Sequence, residues 1–165
     1  MVDPADVSSA RRFVGAARRG VLATLDARGR PRLVPLCFAL DDWSPPLEPG
    51  GAADERFVFY SAIDEKPKRS ADPLDLARVR DLRDRPGATM LVDHWDEAWD
   101  RLAWVRLDCS GEILTPDGAD GTRAHAIAAL RAKYPQYRAQ RLEERPLIRL
   151  TCSVAASWGA LEEER

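Results

Sequence analysis

The sequence predicts a mainly β fold, a small antiparallel barrel of six strands with helices on its outside, and three observations support that prediction. Stretches in which apolar residues recur at every second position appear six times, joined by turns and loops in meander order. Helical spacing appears in three places: at the start, after the third strand and before the sixth. Strands that follow one another with so few helices between them do not make a parallel α/β sheet. The length of 165 residues fits one domain, expected to span residues 1–165, with enough chain to close a hydrophobic core.

Composition narrows the functional classes. An apolar fraction of 45% and a charged fraction of 32% belong to an ordinary folded protein. The 25 basic and 27 acidic residues give a formal net charge of -2, which argues against a nucleic-acid partner held by long-range attraction. No apolar run approaches the roughly 18 residues of a membrane span. The opening MVDPADVSSARRF lacks the layout of a secretory signal, so a cytoplasmic protein with no membrane partner is expected. Cys37, Cys109 and Cys152 are widely spaced among apolar neighbours and read as buried thiols, not as a disulfide or zinc framework.

Taken in order, Asp3 and Pro4 read as a cap and a first helical position, and Val7, Ala10, Val14 and Ala17 make the stripe of a helix ended by Gly20. The first strand, Gly20 to Asp26, turns at Ala27-Arg28-Gly29-Arg30, where glycine supplies a positive φ. The second strand runs from Arg32 to Asp41, with Val34, Leu36, Phe38 and Leu40 towards the core. Its other face, Leu33, Pro35, Cys37 and Ala39, is also apolar and needs a cover: a subunit, a helix or a flat ligand. Pro35 donates no ladder bond and belongs on an edge strand or at a bulge. Asp42 to Glu55 reads as a long surface loop.

The stretch with the clearest chemistry is RFVFYSAIDEKPKR, from Arg56 to Arg69. Phe57, Phe59 and Ser61 share one face of a third strand, Val58, Tyr60 and Ala62 the other, and a polar segment with Lys66, Lys68 and Arg69 follows. Asp72-Pro73 and the stripe Leu76, Val79 and Leu82 then start a helix that Pro86-Gly87 stops. A strand end, three cations and a helix N-terminus together suit a phosphate.

Gly87 to Trp95 is the fourth strand and Leu102 to Thr115 the fifth, with Asp93, Arg106 and Asp108 placed to pair across them. Ile127, Leu130 and Tyr134 mark a third helix, ended by Pro135, and Leu147 to Val154 is the sixth strand, before a tail through Trp158-Gly159. Trp95, Trp99 and Trp104 read as core or interface residues, His94 as structural and His125 as exposed. The sequence holds no metal-ligand cluster, glycine-rich phosphate loop or serine elbow, so no metal and no catalytic residue is assigned.

Four segments, GVLATLDARGRPRLVPLCFALDD, FVFYSAIDEKPKR, LVDHWDEAWDRLAWVRLDCSGEI and the terminal SWGA, resemble a known family. They are similar to the split β-barrel flavin and deazaflavin oxidoreductases, the pyridoxamine 5′-phosphate oxidase-like group, and most closely to its actinobacterial branch of coenzyme F-420-dependent enzymes. The resemblance implies an FMN-binding split barrel and a homodimer with cofactor sites at its interface. It places Pro35, Leu36 and Cys37 with Tyr60, Ser61 and Ala62 around the ring, the phosphate on Lys66, Lys68 and Arg69, and Arg106 and Trp158 at the rim. The implied activity is hydride transfer between coenzyme F-420 (8-hydroxy-5-deazaflavin) and a small organic substrate. FMN is the alternative cofactor, because both carry one phosphate on the ribityl arm, and a non-catalytic cofactor carrier is the alternative outside enzymes.

Overall fold

A computed structural model describes residues 4–41, 56–63, 72–118 and 121–161. Alternating apolar residues give strands β1 (Gly20–Leu25), β2 (Pro31–Leu36), β3 (Ala39–Leu40), β4 (Arg56–Ala62), β5 (Gly87–His94), β6 (Ala103–Leu114) and β7 (Leu147–Gly159). Helical stripes give α1 (Pro4–Ala16), α2 (Ala77–Asp84) and α3 (Thr122–Lys133). The strands form one antiparallel sheet in the order β2-β1-β5-β6-β7-β4-β3. Gly29 closes the β1–β2 hairpin at φ 74, as its sequence context requires. Pro35 lies in β2, an edge strand, where its missing N–H costs the ladder nothing.

The expected six-stranded barrel is corrected here: among the described residues there are seven strands, and no hydrogen bonds join the sheet's two edges. The reason lies at Cys37 and Phe38. The strand expected from Arg32 to Asp41 breaks there, and its halves, β2 and β3, take opposite edges. Phe38, fully buried, has no ladder partner at the break, and Tyr134 replaces one. The Phe38 N–H donates to the Tyr134 hydroxyl at 3.1 Å, and that hydroxyl lies 2.7 Å from the Phe38 carbonyl and 2.8 Å from the Arg18 carbonyl. Burial pushes the Tyr134 hydroxyl up to about 12, so it keeps its proton at neutral pH.

Two cores follow from the two faces of the sheet. Inside, Leu22, Leu36, Phe38, Phe57, Phe59, Met90, Val92, Val105 and Leu107 pack with Val7, Ala10 and Val14 of α1 and Val79 and Leu82 of α2. Outside, Val58, Tyr60 and Ala62 of β4 and Leu147 of β7 lie under Ala126, Ile127 and Leu130 of α3. Most of the stripes read from the sequence for the three helices are thus buried, with Ala17 and Leu76 half-buried against the inner core. Arg123, 6% exposed, seats α3 by donating to the carbonyls of Leu114, at the end of β6, and of Leu142, Glu143 and Arg145, which lie outside any strand.

Two further expectations are corrected. Cys109 and Cys152 are direct partners in the β6–β7 register and form a disulfide, although 43 residues separate them in sequence. Cys37 remains a free, half-buried thiol. The last strand extends through Gly159, because a register shift between Arg106 and Leu107 lets β7 keep pairing past Val154, and Trp158 is therefore a strand residue. Among the described residues no helix is long and apolar enough to cross a membrane.

Replacing Tyr134 by phenylalanine leaves the buried Phe38 N–H without an acceptor. Urea unfolding of Tyr134→Phe should show a loss of about 1–3 kcal/mol, whereas a loss below about 0.5 kcal/mol would show that the joint does not need the hydroxyl.

Candidate functional site

Beyond the reach of α3 no element among the described residues covers the outer face of the sheet. Pro35 faces Val21, Val21 faces Leu91, Leu91 faces Arg106 and Arg106 faces Ala156, so one row of side chains crosses β2, β1, β5, β6 and β7. Leu33, Ala23, Thr89 and Asp108 form the row on one side, and Asp93, Trp104 and Trp158 the row on the other. Leu33 is 64% exposed, Trp158 55% and Leu91 37%, so water meets an apolar wall. Arg106 stands exposed in that wall, and among the described residues it has neither an ion pair nor a side-chain hydrogen bond. The cross-strand pairing expected of Asp93, Arg106 and Asp108 does not form, because their register partners are Trp104, Leu91 and Thr89. Trp95 and Trp99 are exposed beyond the end of β5, not in the core.

The residues assigned to a cofactor from the sequence separate into three groups. Pro35, Arg106 and Trp158 share the bare face. Leu36 points the opposite way into the inner core, Ser61 is buried, and Tyr60 and Ala62 lie under α3, with half-buried Cys37 packed against the same cluster. The β4 side chains Tyr60 and Ala62 are therefore covered by a helix and Ser61 is on the opposite face of the strand, so a ring on the bare face touches none of them. Lys66, Lys68 and Arg69 lie outside the described residues. Their segment leaves from buried Ile63 and returns at Asp72, whose carboxylate accepts the Leu74 N–H at 2.8 Å. Beside that return, a cleft of about 400 Å³ opens between α2 and β6, with Leu74, Arg83, Ile113 and Thr115 in its lining.

Asp41 is the residue that sequence reasoning missed. It sits just past β3 with its carboxylate buried, the Tyr60 hydroxyl donates to Oδ2 at 2.9 Å, and the His125 ring Nε2 lies 2.8 Å from Oδ1. Burial first, and then the Asp41 carboxylate, raise the Tyr60 hydroxyl far above its ordinary value, so Tyr60 is a neutral donor. Arg149, the cross-strand partner of Tyr60, carries the row on to Glu112 at 2.7 Å. His125, expected to be exposed, is thus tied from α3 to the end of β3. It is half-buried instead of exposed because the pairing of Ala39 with Tyr60 brings Asp41 within reach of its ring. His94 lies 3.8 Å from Asp96, in a half-exposed pair. Among the described residues no group of three or more His, Cys, Asp and Glu side chains is placed to hold a metal ion.

Residues 8–159, which take in all seven strands, match the family described as Pyridoxamine 5'-phosphate oxidase. The chain belongs to that family. Among solved structures, this member of the pyridoxamine 5′-phosphate oxidase family is similar to HutZ, the heme storage protein from Vibrio cholerae, with 13% identity, 92% of this chain and 95% of that chain covered, and a TM-score of 0.59. It is similar to a conserved hypothetical protein from Mycobacterium tuberculosis, with 16% identity, coverage of 95% and 83%, and a TM-score of 0.59. It is also similar to a protein titled F420 reductase, with 18% identity, coverage of 90% and 94%, and a TM-score of 0.51. At such identities these likenesses speak for the fold. No curated protein matches the sequence.

In Asp41→Ala the Tyr60 hydroxyl and the His125 ring lose a buried acceptor. Unfolding free energy should fall by about 1–3 kcal/mol, with faster amide exchange in α3, and a variant as stable as the parent would mean that this carboxylate does not hold the helix down.

Proposed function

We propose that the protein is a homodimeric oxidoreductase dependent on a flavin or deazaflavin, with the cofactor ring on the bare sheet face near Pro35 and its phosphate on Lys66, Lys68 and Arg69. The observation that carries this reading is the row Pro35, Val21, Leu91 and Arg106, a flat apolar wall with one exposed arginine. A planar ring packs on such a wall, and an unpaired guanidinium suits an anionic edge of the ligand. A bound flavin or deazaflavin would supply two-electron hydride chemistry. The chain would orient the ring, exclude water from one side and hold the phosphate, while an organic substrate lies over the open side.

Coenzyme F-420 is the cofactor we favour, supported by the fold shared with the protein titled F420 reductase, and FMN is the alternative. The second reading is a non-catalytic carrier, favoured by the likeness to the heme storage protein. The dimer is supported by Leu25, Leu33, Leu91 and Trp158, exposed apolar side chains that a second copy would bury.

Titration of the purified protein with F-420, FMN and heme separates these readings. F-420 or FMN should bind, and reduced cofactor should pass hydride to some members of a substrate panel; binding without transfer favours the carrier, and binding of neither F-420 nor FMN removes the oxidoreductase reading. Replacing Lys66 and Lys68 together by alanine should weaken cofactor affinity by about 1–3 kcal/mol, and unchanged affinity would take the cationic segment out of the site. Leu91→Glu should give a folded monomer by light scattering, while a dimer that survives the substitution would move the interface to another surface.

A further inference from the structure

We propose that Cys109 and Cys152 are a reversible oxidation site of the folded protein, opened and closed by exchange with a low-molecular-weight thiol and its disulfide. The proposal does not depend on the cofactor. On the inner face of the sheet, Ala88, Cys109, Cys152 and Phe57 follow one another across β5, β6, β7 and β4. The Cα atoms of the two cysteines are 4.1 Å apart, close to the roughly 4.5 Å of any non-hydrogen-bonded antiparallel pair. The ladder itself therefore brings the sulfurs together. Every residue from Ala103 to Leu114 has a partner on β7, so opening the bond leaves both strands paired. What the bond adds in the native sheet is small. Its main effect is on the unfolded chain, where it closes the 43-residue span that includes α3.

The surroundings of the two sulfurs differ. Cys152 is 1% exposed and faces Phe57, whereas Cys109 is 8% exposed and faces the small, half-buried Ala88. A thiolate R–S⁻ therefore enters at the Cys109 Sγ. The new R–S–Cys109 bond forms as the Cys109–Cys152 bond breaks, and Cys152 leaves as a thiolate that takes up a proton. A second R–S⁻ attacks the R sulfur of the mixed disulfide and releases R–S–S–R, and Cys109 takes up a proton. In sum, one protein disulfide and two thiols give two cysteine thiols and one small disulfide, and oxidised glutathione or a similar disulfide drives the reverse. Cys37 does not compete, because it packs against the outer cluster under α3 while Cys109 and Cys152 lie in the inner core.

The test compares alkylation of the native protein in glutathione buffers from fully oxidised to fully reduced, read by intact mass. In oxidised buffer only Cys37 should be modified; in reduced buffer, without denaturant, all three cysteines should be. The circular dichroism spectrum should stay the same, the melting temperature should fall by about 10 °C on reduction, and both changes should reverse on reoxidation. Cys109→Ser with Cys152→Ser should melt at the reduced protein's temperature in every buffer. If that double variant does not fold, Cys37→Ser carries the same test, with no and then two modified cysteines. Three reactive thiols in oxidised buffer, modification of Cys109 and Cys152 only after denaturation, or unfolding on reduction would each overturn the proposal.

Discussion

Between Leu36 and Ala39 the chain passes from one edge of the sheet to the other. Seven strands laid flat at about 4.8 Å spacing would separate β2 from β3 by about 29 Å, yet three virtual bonds of about 3.8 Å span at most about 11 Å. The sheet must curl on itself, and that curl encloses the inner core. The joint is held by more than its two residues. Phe38 packs edge-on against Phe59 at 5.3 Å between ring centroids, and the Lys133 ammonium lies 4.5 Å from the Phe38 ring. Lys133 donates to the Gly15 carbonyl at 2.9 Å and Arg18 donates to the Lys133 carbonyl at 2.7 Å, so the ends of α1 and α3 meet over the same spot. The Tyr134 hydroxyl satisfies the backbone that the break exposes.

That joint also explains why the outer face is divided. Once β3 and β4 fold against the far edge, α3 lies over them, held there by Asp41 and His125 and by Arg123 on its four carbonyls. The helix covers Tyr60 and Ala62 and does not reach β2, β1 and β5. Apolar side chains alternate on both halves of the outer face, but among the described residues only one half has an intramolecular cover. The other half carries Pro35, Leu91, Arg106 and Trp158, all of them exposed, and for that reason it is the half on which we propose that a second copy and a flat ligand sit.

Much of this was legible in the sequence. Strand and helix positions, the glycine turn at Gly29, the edge position of Pro35, the mostly buried stripes of the three helices and the family itself follow from local patterns. Periodicity and backbone preference act over a few residues, and so they survive without knowledge of the fold. The site was legible only in part. The family resemblance placed Tyr60 beside a ring, but its strand has two apolar faces, and nothing local says which of them a helix takes.

By itself, then, the sequence determined which residues alternate, which turn and which family motifs they carry. Tertiary structure alone decided the break at Phe38, the disulfide between Cys109 and Cys152, the meeting of Asp41 with Tyr60 and His125, and the bare row from Pro35 to Arg106. Each of these depends on strand order and register, which join residues tens of positions apart. Alternation separates the two faces of a strand; it carries no record of which strand lies alongside or what covers it.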